Sequence, residues 1–133
     1  MIIIRQEQMA LFERNAQLDF ENKVIAHIKE HHSDRTQGLS DDILRKRVQD
    51  GILRARSYDL SWENTITAYV ALLFVIAPNF DDHPALYPTL IDKNVAPNDR
   101  IDKLIERARE KDWAEARENA DETAWDKLVK HEG

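Results

Sequence analysis

Apolar and polar positions alternate with the period of an α-helix along most of the chain. From residue 6 to about residue 32, apolar side chains recur every three or four positions, which is the spacing of one long amphipathic helix. The side chains on this stripe are Met9, Phe12, Ala16, Phe20, Val24 and Ile28, and it is widened by Leu11, Leu18 and Ile25. The polar stretch 33–39, which contains Gly38, predicts that the helix ends near residue 32.

Two further helices are predicted between residues 40 and 77. Ser40 precedes two acidic residues, a pattern typical of an N-cap, and it predicts a helix over residues 40–57. Gly51 lies inside this helix at a cost of about 1 kcal/mol relative to Ala, and we expect a close helix crossing there. Ser61 predicts the start of the next helix, over residues 61–77. Its apolar run is continuous and predicts a buried helix at the centre of the fold.

All four prolines fall between Pro78 and Pro97, and they predict an irregular connector over residues 78–96 that has room for one short helix around residues 85–92. Renewed helical periodicity then predicts a last helix over residues 97–128. The fold predicted for residues 1–133 is therefore a single all-α domain. It is a bundle of about four main helices with a Pro-containing connector before the last one and an apolar N-terminal arm at residues 1–5.

The composition excludes several classes of function. The chain has 133 residues, of which 42% are hydrophobic and 33% charged, as in globular domains. It contains no Cys, which excludes disulfides, thiolate zinc sites and cysteine catalysis. The net charge of −6 argues against nucleic acid as a partner. No Gly-rich phosphate loop, nucleophile elbow or calcium-binding loop occurs, so we predict neither an enzyme nor a cofactor.

The sequence also predicts where the protein is found. The longest apolar run, residues 69–77, is far shorter than the roughly 20 residues that span a bilayer. The apolar start of the chain is too short for a signal peptide and is followed at once by Arg5. We therefore expect a cytoplasmic protein that does not interact with membranes, with co-export alongside a secreted cargo left open.

One short motif has the order of metal ligands used by inverted zinc peptidases. His27 and His31 are one helical turn apart, and Glu30 lies between them in an H-x-x-E-H pattern. These residues would hold zinc and activate water. Because His27 shares the apolar stripe and His31 lies where the helix should end, we interpret them as structural. A small metal-dependent hydrolase remains an alternative.

A second motif, Phe80–Pro84, places acidic side chains beside a histidine in the connector. Asp81 and Asp82 together with His83 could bind a cation or act as an acid–base pair. The favoured interpretation is structural, with one of the carboxylates capping the turn that follows.

Two apolar features are candidates for binding a partner protein. Trp113 and Trp125 lie in the charge-rich last helix, where a sparse stripe could dock on a partner or pack against the bundle. The apolar arm Ile2, Ile3 and Ile4 could cover its own core, add to a partner, or contact a second copy of the chain.

Five segments within residues 2–90 form a recognisable set of motifs. They are Ile4-Arg5-Gln6-Glu7-Gln8-Met9 with Phe12 and Phe20, His27-Ile28-Lys29-Glu30-His31, Gly51-Ile52-Leu53-Arg54-Ala55-Arg56-Ser57-Tyr58, the stretch from Tyr69 to Phe74, and Phe80-Asp81-Asp82-His83-Pro84-Ala85-Leu86. This set resembles the motifs of small all-helical bacterial proteins associated with type VI secretion loci, which are encoded near PAAR or VgrG spike proteins and their toxins. Such proteins often have Gly after the Tyr of the R-A-x-x-Y motif. Asp59 follows Tyr58 here, so we expect that turn to differ.

The resemblance implies a non-catalytic accessory protein for a secreted toxin or its delivery spike. The chaperone or adaptor, co-effector and immunity roles all remain open. Asp81 and Asp82 join the tryptophans and the isoleucine arm as candidates for contact with this partner, and the acidic charge would suit a basic one. A structural homo-oligomer is the third hypothesis.

Overall fold

The computed structural model describes the backbone of residues 6–127 and the side chains of residues 8–126, and the predicted arm at residues 1–5 lies outside this range. All regular secondary structure within the described residues is helical, which confirms the all-α fold. The helices are α1 Gln6–His31, α2 Ser33–Thr36, α3 Asp41–Ser57, α4 Glu63–Val75, α5 Tyr87–Leu90, α6 Arg100–Arg107, α7 Glu110–Glu118 and α8 Ala124–Lys127.

Helix α3 runs antiparallel to α1 and covers only part of it. The start of α3 lies beside the end of α1, where Lys29 Nζ is 3.3 Å from Asp41 Oδ1. The last turns of α3 reach back to Gln17, whose Oε1 accepts a hydrogen bond from Arg56 Nη1 at 3.2 Å. At 1.5 Å per residue, the 26 residues of α1 extend about 39 Å and the 17 residues of α3 about 26 Å. The first turns of α1 therefore extend past the end of α3.

Helix α4 is the central helix, as its apolar sequence predicts. Tyr69 and Val70 are fully buried in the core, which also contains residues from α1, α3, the connector and α6. A Cβ atom on Gly51 would lie 3.1 Å from Leu73 Cδ1 and 3.2 Å from Val70 Cγ2. The glycine therefore allows the close crossing of α3 and α4 that the sequence predicts.

One of the two predicted serine caps is confirmed. Ser40 Oγ accepts the backbone N–H of Ile43 at 3.2 Å at the start of α3. Ser61 does not cap α4, because Trp62 occupies the N-cap position. The turn is held instead by Asn98, whose Oδ1 accepts the backbone N–H groups of Ser61 and Trp62, each at 3.0 Å.

The predicted helix over residues 97–128 is divided into three, and this prediction is corrected. A short 3₁₀ turn precedes α6, and Ala108 then leaves the helical conformation with φ −68° and ψ 142°. Asp112 Oδ2 accepts the backbone N–H of Arg109 at 2.9 Å, which starts α7. Between α7 and α8 the side chain of Asn79 donates to the Asn119 carbonyl and accepts from the Asp121 N–H. The first break is therefore held by a local hydrogen bond, and the second by the two tertiary hydrogen bonds of Asn79.

The connector is ordered by a buried cation. Arg100 donates from Nε to the carbonyls of Asp92 and Val95, and from Nη1 to those of Tyr58 and Leu90, over 3.1–3.2 Å. These four carbonyls fix the connector against the end of α3. Helix α5 lies within residues 85–92, where a short helix is expected, and the connector also contains the 3₁₀ turn of residues 80–82.

The turn after α3 keeps the left-handed backbone that a glycine would favour. Asp59 has φ 66°, the one non-glycine residue with positive φ in the described part of the chain. Asp is among the few residues that tolerate this region. Asp59 therefore takes the place of the glycine, but the backbone at this position keeps the left-handed conformation.

Candidate functional site

Asp81, one of the partner-binding candidates, is the centre of a buried hydrogen-bond network. Its Oδ1 accepts from Arg54 Nη2 at 2.6 Å, and its Oδ2 accepts from the hydroxyls of Tyr58 and Tyr69 at 2.6 and 3.1 Å. The carboxylate is fully buried, so it is not available to a partner in the folded protein. The neighbouring Asp82 is exposed on the surface, and its Oδ1 lies 3.8 Å from Arg54 Nη2.

The titration of this network follows from its burial. Burial raises the pKa of Asp81, and the guanidinium of Arg54 with the two phenol hydrogen bonds opposes that rise. Burial and then the nearby carboxylate of Asp81 raise the pKa of Tyr58 and Tyr69, so both phenols keep their protons and donate hydrogen bonds.

Sequence reasoning missed the role of Arg54 in this network. Arg54 and Tyr58 are one helical turn apart on the same face at the end of α3, a spacing that signals a shared partner. The network fastens the connector to α3 and α4.

His83, the other polar member of that motif, joins helix α7. Its Nε2 lies 2.9 Å from Glu115 Oε2, and its Nδ1 accepts the backbone N–H of Ala85 at 3.0 Å. With Asp112 these residues form the one group among the described residues whose three ligand atoms lie within 4.8 Å of one another.

The hydrogen bonds of His83 do not suit a metal ion. Because Nδ1 accepts from Ala85, the proton of the neutral ring is on Nε2 and points at Glu115. A metal at Nε2 would require the opposite tautomer and the loss of the Ala85 bond. The arrangement attaches α7 to the connector.

The predicted metal ligands His27 and His31 do face each other across one turn of α1. Their ring centroids are 4.6 Å apart, and the ring of His32 lies 6.1 and 6.5 Å from them. Burial and the neighbouring His31 and His32 lower the pKa of His27, and Glu30 opposes this. Within the described range these histidines gain no third ligand, since the one three-ligand group there involves His83. The metal-dependent hydrolase therefore remains an untested alternative.

The two tryptophans proposed for partner binding have different environments. Trp125 is only 5% exposed and belongs to the core, with its ring centroid 4.9 Å from that of Phe74. Its indole N–H donates to Glu122 Oε2 at 3.0 Å. Trp113 is half-buried and packs against the same core. Neither side chain is an open anchor, because the breaks in the predicted last helix fold its segments back onto the bundle.

Four of the ten large apolar side chains that are exposed in the described part of the chain lie instead at the start of α1. Met9, Leu11, Phe12 and Leu18 are 46%, 57%, 77% and 43% exposed. The buried part of α1 begins only at Phe20 and continues through Val24 and Ile28. Sequence reasoning placed these residues on a helical stripe and missed that half of the stripe would be open. Ile2, Ile3 and Ile4 lie outside the described residues.

Comparison of the chain with protein-family models, with curated proteins and with solved structures found no match. The similarity to proteins of type VI secretion loci therefore stays a resemblance of motifs. Within residues 6–127, none of the helices combines the length and the hydropathy needed to cross a bilayer.

Proposed function

We propose that this protein is a non-catalytic binding protein that docks on another protein through the N-terminal half of α1, residues 8–19. The observation that carries the proposal is the exposure of four large apolar side chains within these twelve residues, with Phe12 at 77%. Fully burying one such side chain contributes about 1.5–3 kcal/mol. A surface of this kind is typical of interaction sites in soluble proteins.

The shape of the segment suits insertion into a groove. Residues 8–19 form about 18 Å of regular helix that extends past the end of α3. At 100° per residue, Met9 and Phe12 lie on one side of this helix with Ala16, and Leu11 lies with Leu18 on the other side. A helix with apolar side chains on two sides can be enclosed by a groove, in the manner of helix-in-groove recognition.

Charge favours a different protein over a second copy as the occupant. The chain carries a net charge of −6, so self-association would bring two negative fields together. Residues 8–19 themselves contain Glu13 and Asp19 against the single cation Arg14. A neutral or basic partner with an apolar groove meets both conditions. The motif resemblance points to a secreted toxin or a spike component as this partner, with a chaperone, adaptor, co-effector or immunity role.

The test compares binding by wild type with binding by a Met9→Ser/Phe12→Ser variant. Ile105→Ser is the matched control, because Ile105 is 58% exposed on α6, away from α1. A tagged wild-type bait captures partners from host lysate, mass spectrometry identifies them, and the purified partner is then titrated against all three proteins. We expect the α1 variant to bind at least tenfold more weakly while its helical circular dichroism is unchanged, and the control to bind as wild type does.

Two results would contradict the proposal. Equal affinity of the wild type and the α1 variant for every identified partner would show that residues 8–19 are not the docking surface. A dimer in light scattering that the α1 variant converts to a monomer would assign the surface to a second copy.

A further inference from the structure

A cleft beside Trp125 combines apolar walls with a concentration of arginines. Its volume is about 330 Å³, and it lies between the end of α4, helix α2, the middle of α3 and the segment that joins α7 to α8. Phe74 and Ala77 contribute apolar surface, and Arg35, Arg47 and Arg117 also line it. We call this cavity the arginine cleft, and we propose that it binds a carboxylate attached to an apolar group.

The two acidic side chains of the cleft already have partners. Asp34 Oδ2 lies 3.6 Å from Arg35 Nε, and Glu122 Oε2 accepts the indole N–H of Trp125. Arg47 and Arg117 have no carboxylate of the described residues within 4.0 Å. Two guanidinium groups therefore face a cavity with hydrogen-bond donors to spare.

One of these guanidinium groups is held in place by the cleft wall. The central carbon of Arg47 lies 4.9 Å from the ring centroid of Trp125, a cation–π distance. Trp125 is fixed in turn by Phe74 and by its hydrogen bond to Glu122. A stacked guanidinium loses little freedom when its N–H edge binds an anion, and its planar fork matches the two oxygens of a carboxylate.

Charge and volume define the class of ligand. Three arginines against Asp34 and Glu122 leave the cleft with one formal positive charge, on a protein whose net charge is −6. This balance suits a monoanion better than a doubly charged phosphate. A volume of about 330 Å³ lies at the small end of ligand sites. It accommodates a small organic acid, or the last residue of a polypeptide with its C-terminal carboxylate.

The experiment uses carboxylate probes and the indole N–H signal of Trp125 in ¹⁵N NMR spectra, assigned with a Trp125→Phe variant. The probes are 3-phenylpropionate and an acetylated tripeptide ending in phenylalanine, each paired with its neutral amide. Each probe is titrated to about 5 mM, a range that detects millimolar dissociation constants. We expect a saturable shift with at least one carboxylate and none with its amide. Binding of the acid alone would identify a free organic acid as the source, and binding of the peptide a polypeptide C-terminus.

Charge-matched variants locate the binding. Arg47→Gln and Arg117→Gln should each weaken the dissociation constant about tenfold or more, while Arg14→Gln, which removes the same charge from exposed α1, should leave it unchanged. Circular dichroism checks folding, and Arg117 is exposed, so its variant keeps the test valid if Arg47→Gln unfolds. The absence of a saturable shift, equal shifts with acids and amides, or equal weakening by Arg14→Gln would overturn the proposal. None of these outcomes depends on whether α1 docks on a partner protein.

Discussion

The two halves of α1 follow one hydrophobic pattern and occupy opposite environments. In residues 20–31, Phe20, Val24 and Ile28 are buried against the bundle, whereas Met9 and Phe12 in residues 8–19 are 46% and 77% exposed. Periodicity is a property of one helix, but burial requires a neighbouring helix of sufficient length. Because α3 ends beside Gln17, the cover ends there.

The boundary between the halves is marked by a buried carboxylate. Glu21 is 4% exposed and accepts hydrogen bonds from Arg45 Nη1 at 3.1 Å, from Gln49 Nε2 at 3.0 Å and from Gln17 Nε2 at 3.0 Å. Its partners on α3 join the two helices about one turn before the cover of α1 ends at Gln17. Apart from Phe20, the large apolar side chains described on the N-terminal side of Glu21 face solvent.

The largest expected contrast is in local stability. Hydrogen exchange of amides in covered helices follows the global unfolding free energy, about 5–15 kcal/mol for a domain, whereas exposed ends open at close to zero cost. We expect residues 20–31 to exchange several orders of magnitude more slowly than residues 8–19 when followed by NMR. Equal protection in both halves would show that residues 8–19 are covered by a partner copy or another part of the chain.

The next largest difference between the two halves should be the loss of stability when an apolar side chain is truncated. Ile28→Ala removes three carbon atoms from a fully buried position and should lower the free energy of unfolding by about 2–5 kcal/mol. Phe12→Ala removes a larger but exposed side chain and should change it by less than about 0.5 kcal/mol. Urea denaturation of the two variants and the wild type measures both changes in the free energy of unfolding. If Phe12→Ala lowered this free energy nearly as much as Ile28→Ala, the two halves of α1 would not differ in burial.

A smaller effect is expected from the carboxylates of α1. Glu21→Ala removes the acceptor of three hydrogen bonds, one of them from a guanidinium, and should destabilise the protein by about 2 kcal/mol. Glu13→Ala is the matched control on the exposed half and should change stability by less than about 0.5 kcal/mol. Equal effects in urea denaturation would mean that Glu21 does not join the two helices.

The sequence predicts those parts of the structure that local pattern controls. Helix α1, the cap at Ser40 and the close crossing at Gly51 depend on spacing or on a single residue type, and all three are confirmed. The break between α7 and α8 involves Asn79, forty residues away, and the sequence around the break does not indicate that contact. For the same reason Trp125, placed on an amphipathic stripe by its spacing, is buried by contacts that the stripe does not specify.

The candidate sites were predictable to a smaller degree. The sequence drew attention to Asp81 and His83 by residue type, but their partners Arg54 and Glu115 come from distant helices. A motif of polar residues shows which chemical groups are present but not which residues of other helices surround them. Those surrounding residues determine whether a carboxylate is open to a ligand or buried in a hydrogen-bond network. The arginines of the cleft are similarly scattered, at positions 35, 47 and 117.

The smallest expected effect is the pH dependence of the covered half. The pKa of His27 is lowered from its usual value of 6.5, by burial first and by His31 and His32 next. Because the folded pKa lies below the unfolded one, the unfolded chain binds more protons between these two values. The stability that His27 contributes is therefore fully present above about pH 6.5 and falls as the pH drops through the folded pKa.

Urea denaturation between pH 5 and pH 8 measures how the free energy of unfolding depends on pH. The variant His27→Gln should flatten this pH dependence. The variant His31→Gln should reduce it in part, because His31 is the second cause of the lowered pKa of His27. Two results would contradict this prediction. One is a pH dependence of the free energy of unfolding that both variants leave unchanged. The other is a wild type that becomes more stable on acidification, with that gain lost in His27→Gln.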